Sequence, residues 1–542
     1  MGMKTAVLLI ALVLESVWTL PAFPGAEGWG SQNIGGRGGK VYIVTNTNNN
    51  GPGSFSAALT APGARYIVFR VSGVITITTI PELVKNNSNI TIAGQTSPGG
   101  ITLKCASSGE GPFFTYQSNF HDMILRFVRF RSRASTDHAL MLNAAHNFII
   151  DHCDFSGGSD ECLDICSSDS FTLSWNTIAN SSAGQTYGLL MAYLPTSNIS
   201  MHHCLFAHHV ERFPEMHWGD QVPPNNGMID MVNNVLYDGE AYFFSNYQSA
   251  APSSCRLNYV GNYLKAGPSS PPNGKNSADW FWNMVSLGGS MTGYEADNEM
   301  VRGSEVNRTT IRNRMPNRVD TPWENPPVTT WSADQAYIKV ADKVGAWPRD
   351  PMNLRTINDL KNATGVLRKD DDALITTGPN PPADADLDGM PDYWEDAMGL
   401  NKNDPSDAIK DFDNSGYNNI EKYFNDLANI LLGEQPVYPN TGIEEVRSGG
   451  MGAPSPVALS PNPCVGSSQV QISLLTRRSH PLSGKVRVVD IGGKIMAEFP
   501  VSRHTSWNGR DKLGHSLAAG VYLVQWMKEG RLAGERKMTL VR

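Results

Sequence analysis

Long apolar runs are missing after Ala22: no later stretch approaches the ~18 apolar residues that a bilayer-spanning helix needs, so no transmembrane segment is expected. Positive charge is thin as well. Lys and Arg number 44 against 52 Asp and Glu, for a net charge of −8, and no basic run or stripe stands out, which removes the electrostatic footprint of a nucleic-acid binder. An anionic ligand would need a cation to mediate. Cysteine is scarce, with 7 in 542 residues. That is too few for a disulfide scaffold, and none shows the CxxC spacing of a zinc site. Cys162 and Cys166 stand close enough in sequence to pair or to stay free, and the residues leave both open.

Before Ala22 the text differs. Lys4, an apolar run from Ala6 to Leu14 and a Leu20-Pro21-Ala22 exit read as a secretory signal peptide over residues 1–22, with a mature chain beginning at Phe23. A secreted or cell-surface protein is expected.

A repeat is what the sequence has in quantity. Phe148-Ile150-Cys153-Phe155, Phe171-Leu173-Asn176-Ile178, Ile199-Met201-Cys204-Phe206, Ile229-Met231-Asn234-Leu236 and Leu257-Tyr259-Asn262-Leu264 share one pattern, starting 23, 28, 30 and 28 residues apart. Ile124-Arg126-Arg129-Arg131 extends the register backward. Two-residue alternation at such a period predicts one short strand per repeat, each burying its face only by stacking on the next. The expected class is all-β, a right-handed parallel β-helix; sandwich strands would recur every ~8–12 residues. An Asn at the third slot can bond the backbone and its copy one coil away, and Cys is a small, readily buried substitute. Cys153 and Cys204 are therefore expected as buried thiols in a ladder.

The β-helix is expected over 23–378, its first coils in the Gly-, Asn- and Thr-rich text up to about Gly100 and a helix from Asp334 to Lys343 packed along it. Thr376 to Pro382 reads as a linker. In the segment 384–432, Asp384, Asp386, Asp388, Gly389, Asp392 and Glu395 match a twelve-residue calcium loop, including the glycine at its sharp turn. Asp411-x-Asp413-x-Ser415-Gly416 resembles a second loop whose twelfth position is Lys422 rather than an acid. A linker over 433–456 leads to a small β-sandwich over 457–542, with strands such as Val486 to Val489 and Gly520 to Val524 and turns at Gly492-Gly493 and Asn508-Gly509.

Chemistry gathers among the repeats. Asp137 precedes the first well-formed coil and Asp160-Glu161-Cys162-Leu163-Asp164 occupies a turn between the next two, so carboxylates from adjacent coils would converge on one groove. Crowded like charges repel, and such a cluster suits Ca²⁺; a solvated acidic loop is the plainer reading. Arg212-Phe213-Pro214 falls about one coil further on, and its guanidinium could bind a carboxylated sugar, form an ion pair or act in catalysis. His202, His203, His208 and His209 lie nearby without metal spacing and read as ladder or surface residues.

Ala22-Phe23-Pro24-Gly25-Ala26-Glu27-Gly28-Trp29-Gly30, Gly35-Gly36-Arg37-Gly38-Gly39, Gly51-Pro52-Gly53-Ser54-Phe55, Ile149 to Ser156, Asp160-Glu161 and Arg212-Phe213-Pro214, in that order, resemble the polysaccharide lyase family 1 pectate lyases over about Phe23 to Gly365. The segment from Asp384 to Leu427 is similar to a calcium-loop tail that follows such lyases. Ser460-Pro461-Asn462-Pro463, Trp507 to Asp511 and Gly520-Val521-Tyr522 resemble a type IX secretion sorting domain.

The resemblance implies Asp137, Asp160 and Asp164 as ligands of a catalytic calcium, with Glu161 a substitute, and Arg212 as the base in a β-elimination on polygalacturonate or low-methylated pectin. Asp384, Asp386, Asp388, Asp392 and Glu395 would hold a structural calcium. Asp151-His152 would be the structural pair beside the site. The type IX secretion machinery becomes an expected partner, and a monomer the expected state. Two basic residues of the family are missing, since Gln185-Thr186-Tyr187-Gly188-Leu189 lacks the Lys and Glu215-Met216-His217 stands where a second Arg would. His217, Arg256 and Lys265 are the candidates to meet substrate instead. The competing readings are a non-catalytic binder of acidic polysaccharide and a β-helical hydrolase, which needs two carboxylic acids and leaves Arg212 idle.

Overall fold

The computed structural model describes residues 20–106, 109–132, 137–182, 184–193, 196–217, 227–240, 245–247, 254–270, 290–307, 318–369, 371–434, 436, 457–460, 464–465, 470–474, 485–490, 495–500, 504–507, 510–511, 517, 520–528 and 531–541. Residues 1–19 of the expected signal peptide, most of the 433–456 linker and the two turns at Gly492-Gly493 and Asn508-Gly509 lie outside them. The chain forms two compact units, Met1–Asp392 with Asn401–Pro439, and Tyr393–Leu400 with Asn440–Arg542.

The first unit is a parallel β-helix, as the repeat implies, but its coils carry up to three strands rather than one. Sheet A has ten strands, among them Phe120–Arg126, Ala145–Asp151, Asp169–Ser174, Ser197–His202 and Ser254–Val260. Sheet B includes Val128–Arg131, Asp154–Ser156, Thr177–Ala179 and Tyr263–Lys265; an antiparallel strand, Glu305–Asn307, pairs at its end. Among the described residues sheet C has seven: Glu82–Leu83, Phe114–Thr115, Leu140–Asn143, Glu161–Cys166, Tyr187–Ala192, Glu215–His217 and Ser245–Tyr247. The repeat thus spans sheet A, a bend and sheet B. Sheet C falls between repeats, where the spacing varies and hides it. The backward extension slips by one residue: Ile124 pairs with Ile149, so Met123, Leu125 and Phe130 are in register with Phe148, Ile150 and Phe155. Because strand faces alternate, that slip puts Ile124 outside the coil interior, against Ala22 and Phe23.

The ladder at the A–B bend forms as expected. Asn176 Oδ1 accepts from the Cys153 amide at 2.8 Å while its Nδ2 donates to the Ile150 carbonyl at 2.8 Å. Asn234 and Asn262 repeat the pattern, and Asn298 adds a further rung. Buried amides that satisfy backbone groups on the next coil cost no desolvation penalty and fix the stacking register. Cys153 and Cys204 are buried free thiols in this ladder, and Cys162 and Cys166 are free too. One residue per bend is left-handed: Phe127, His152, Trp175 and His203 have φ between 50° and 58°. That conformation costs a non-glycine residue about 1–2 kcal/mol. It also aligns their rings, which stack at centroid distances of 5.0, 5.6 and 4.6 Å.

The expected helix forms as Ala333–Lys343, followed by Pro351–Asn362. Val340, Ala341, Val344, Ile357 and Leu360 pack on Leu205, Val235 and Tyr237 of sheet B. Asp350 caps the second helix through the Asn353 amide at 2.9 Å and accepts from Arg131 at 2.9 Å, pinning it to the β-helix. The 376–382 stretch, expected as a linker, has no regular structure and lies against the first coils, with the Pro382 carbonyl accepting from Arg70 at 2.8 Å. The second unit holds a three-stranded and a five-stranded sheet around Val486, Val488, Trp507, Val524 and Trp526.

Candidate active site

Along each coil the chain leaves sheet B and re-enters sheet C through a short connection, and four such connections carry the acidic and basic side chains. Glu110 precedes Phe114–Thr115, Asp137 and His138 precede Leu140–Asn143, Asp160 precedes Glu161–Cys166, and Arg212 precedes Glu215–His217. Leu163 and Ile165 point into the core, so by strand alternation Asp164 faces outward. Glycine permits the close approach of these connections. A Cβ on Gly158 would meet the Glu161 carbonyl oxygen at 1.9 Å, and one on Gly188 the Arg212 carbonyl oxygen at 2.4 Å.

His138, Glu161 and Asp164 present ligand atoms within 4.8 Å of one another. His138 Nδ1 lies 3.2 Å from Glu161 Oε2, and its Nε2 3.2 Å from Glu110 Oε2 and 3.8 Å from Asp164 Oδ2. The Cys166 thiol donates to Asp164 Oδ1 at 2.7 Å. Burial raises the Asp164 carboxyl pKa, and Asp160 adds to the rise. Burial does the same to Glu110, reinforced by Asp137, Asp164 and Asp160. Asp160 Oδ1 is buried with no hydrogen-bond partner. Carboxyls whose charged form burial disfavours, with a carboxylate oxygen left unsatisfied, have the chemistry of a divalent-cation site, and the oxygens of Glu161 and Asp164 fit calcium. Of the expected ligands, Glu161 and Asp164 meet in this cluster with His138, while Asp160 acts on the Asp164 charge from outside it. Asp137, exposed, stands at the rim and shares a backbone bond with Asp160.

Arg212 reaches this cluster from the connection two coils further on, across the strand Tyr187–Ala192, at φ 67°. Buried Phe213 anchors the turn in the core. The guanidinium pairs with Glu161 Oε1, lies 3.5 Å from Glu215 Oε1 through Nε, and sits 4.1 Å above the Tyr187 ring. Burial lowers the Arg212 pKa, against the opposing pull of Glu215 and Asp160. Burial and the carboxylate of Glu211, which also bonds the phenol, push Tyr187 up to about 12.

The substitute cations do not come to the cluster. Arg256 belongs to sheet A, its guanidinium 4.8 Å from the Trp323 ring. Lys265 belongs to sheet B and donates to the Leu360 carbonyl at 2.6 Å. His217 does share sheet C, paired with Ala192. Asp151-His152 also lies away from the cluster, at the end of sheet A: Asp151 accepts from Arg126 at 2.9 Å and from Ser174 at 2.8 Å. The four histidines are buried rather than surface residues; His208 bonds Asp238 at 2.8 Å and His209 the Ile178 carbonyl at 2.9 Å. Sequence reasoning missed Glu110 and His138. Glu110 sits in a Gly-Glu-Gly stretch with no motif, and the only signal for His138 is that it follows Asp137.

In the tail, Asp384, Asp386 and Asp388 bring ligand atoms within 4.8 Å, with Asp384 Oδ1, Asp386 Oδ2 and Asp388 Oδ2 buried and without hydrogen-bond partners. Burial, with Asp386, Asp384 and the unforeseen Asp407 close by, pushes the Asp388 carboxyl up to about 8. This loop too fits calcium. Asp392 holds it by accepting from the Ala385 amide at 2.7 Å, and Glu395 is buried on the helix Asp392–Met398. The second loop holds a cation of its own: the buried Lys422 ammonium pairs with Asp411 and lies 2.5 Å from Asp413 Oδ1.

No family model matches the chain. Curated relatives do, among them two that are each a probable pectate lyase C. That of Aspergillus terreus is 30% identical over 444 residues, 78% of this chain and 99% of the relative. That of Neosartorya fischeri is 31% identical over 446 residues, 78% of this chain and 98% of the relative. Among solved structures, a thermostable pectate lyase is similar at a TM-score of 0.40 and 14% identity, covering 59% of this chain and 97% of its own. With relatives so alike over nearly their whole length, this chain belongs to the pectate lyase family of enzymes.

Proposed function

We propose that the chain is a secreted, calcium-dependent pectate lyase that cleaves polygalacturonate by β-elimination. The observation that carries this reading is the meeting of Arg212 with Glu161 beside Asp164 on sheet C. Calcium bound by Asp160, Glu161 and Asp164, with Asp137 at the rim, would neutralise a uronate carboxylate and acidify the neighbouring C5 hydrogen. Arg212 takes that proton. The C5–H electron pair becomes the C4–C5 double bond, the C4–O bond breaks, and the departing oxygen collects a proton, leaving a 4,5-unsaturated uronate. An arginine base must first lose its own proton, and the burial of Arg212 works in that direction. A calcium in the Asp384 loop would rigidify the tail, and residues 457–542 would address the chain to type IX secretion.

Ultraviolet absorbance of the conjugated product over polygalacturonate, in Ca²⁺ and then in a chelator, tests the reading. Arg212→Ala should lower the rate by about 10²–10⁴-fold with the circular dichroism spectrum unchanged. Turnover indifferent to both chelation and Arg212, or reducing ends without unsaturation, would replace it with a hydrolase.

A further inference from the structure

In the tail segment that follows the β-helix, four aspartates share one hydrogen-bonding pattern. Asp384 Oδ2 accepts from Arg70 at 3.1 Å, Asp386 Oδ1 from the Asp388 amide at 3.3 Å, Asp388 Oδ1 from the Met390 amide at 2.8 Å and Asp407 Oδ2 from the Asn401 amide at 3.1 Å. The second oxygen of each, Asp384 Oδ1, Asp386 Oδ2, Asp388 Oδ2 and Asp407 Oδ1, is buried without a hydrogen-bond partner. Asp384, Asp386 and Asp388 bring ligand atoms within 4.8 Å of one another, and Asp388 and Asp407 do the same. Asp407 stands outside the twelve-residue loop and is only 5% exposed. Nearby acids lack the pattern: both oxygens of Asp404 are engaged, by Ser406 and Lys410, and both of Asp411, by Lys422 and Gly416.

A buried carboxylate oxygen with nothing to bond is costly, and a calcium ion takes about 6–8 oxygens, so three loop aspartates leave room for another. Asp407 is also fixed through its backbone. Its carbonyl accepts from the Lys410 amide at 2.9 Å and from Asn419 Nδ2 at 2.8 Å, at the start of the helix Asn419–Leu431. That helix is docked on the first coils: Glu421 pairs with Arg37 at 3.0 Å, Asn418 accepts from the Tyr66 hydroxyl at 2.8 Å, and the Phe424 and Tyr66 rings meet edge-on at 6.0 Å. The loop is pressed to the same place, since a Cβ on Gly389 would lie 3.0–3.2 Å from the side chains of Val41, Ile420 and Val68.

Resting on the reading of a calcium in the Asp384 loop, we infer that Asp407 is a further ligand of that ion, and that the ion ties the loop to the helix Asn419–Leu431 and both to the first coils of the β-helix. Lys40–Val44 is the end strand of sheet A, paired only with Arg65–Phe69 among the described residues. The terminal coil of a stack has a neighbour on one side and depends on capping elements for the rest of its packing. The ion then secures that end of the β-helix and not the tail alone.

The test is calorimetric titration of calcium into the full chain and its variants, with amide hydrogen exchange of Lys40–Val44 and Arg65–Phe69 followed in calcium and in a chelator. Asp407→Asn keeps the shape and removes the charge, and should weaken one calcium site by about 100-fold; Asp404→Asn should leave that site within about twofold. Calcium at about 100 times its dissociation constant should slow exchange in both strands by up to about 100-fold in the native chain, and by no more than about twofold in Asp407→Asn. Native affinity in Asp407→Asn overturns the ligand assignment. Exchange in the native chain that ignores calcium overturns the tie to the first coils, and that comparison needs no variant to fold. Failure of the loop reading looks different: Asp384→Asn would then leave the titration as unchanged as Asp407→Asn does, whereas a loss with Asp384→Asn alone removes only the role of Asp407.

Discussion

The Arg212 guanidinium lies 4.1 Å above the ring of Tyr187. The ring supplies the contact a flat cation favours and holds the guanidinium over the strand next to the acid cluster without adding positive charge. Tyr187→Phe should keep kcat within about twofold, because the ring remains, whereas Tyr187→Ala should lower it about tenfold, the order expected when a reacting group loses its positioning. Steady-state kinetics on both variants check this; equal losses would assign the role to the hydroxyl and its Glu211 bond instead.

Cys166 donates its thiol to Asp164 at 2.7 Å, orienting a carboxylate that faces the proposed metal. Cys166→Ala should raise the calcium concentration for half-maximal binding by about 10-fold and Asp164→Asn by about 100-fold, the range seen when ligand-supporting groups are removed. Calorimetric titration measures both without turnover.

His208 joins the β-helix to the helix Pro351–Asn362 through Asp238 at 2.8 Å and Asp359 at 3.6 Å, and Arg355 pairs with the same Asp359. Burial lowers the His208 pKa, but the bonds to the two carboxylates outweigh it and the net shift is upward. The folded value therefore lies above the unfolded value of about 6.5. The stabilisation is fully present below that pH and is lost as pH rises through the folded value. The melting-temperature gap between the native chain and His208→Asn should be widest near pH 6 and close on the alkaline side; a gap that widens with pH would contradict the assignment.

Lys422 fills the second tail loop with its own ammonium, between Asp411 and Asp413. That loop should ignore calcium in the native chain. Lys422→Glu places a carboxylate at the twelfth position, where such loops bind the ion bidentately, and calorimetry should then count one additional calcium site and a calcium-dependent rise in melting temperature.

Local chemistry that repeats was legible in the sequence. The Asn176, Asn234 and Asn262 rungs announce themselves because one side chain must serve two coils, and Glu161 and Asp164 because acids crowd there. Sheet C was not legible as a third strand per coil. The connections before it vary in length and its strands alternate buried residues with a face that no repeat constrains. The slip at Ile124 has the same origin: Arg126 and Arg129 broke the apolar alternation, and only the pairing with Ile149 restores it. Glu110 and His138 reach the acid cluster from separate coils, a proximity set by stacking rather than by spacing. Arg256 and Lys265 lie on sheets A and B for the converse reason: nearness in sequence to the repeats says nothing about which of three faces a side chain occupies.

Every group assigned to the reaction but Glu161 and Asp164 comes from the connections between sheets B and C, while the Asn rungs and the ring stack occupy the opposite bend. What the protein does and what keeps it folded are thus written along different strips of the same coil. Substitution can wander on the first strip with little risk to the second, so a lineage built on this fold is free to trade one sugar acid for another, or to lose catalysis altogether, while its silhouette stays the same.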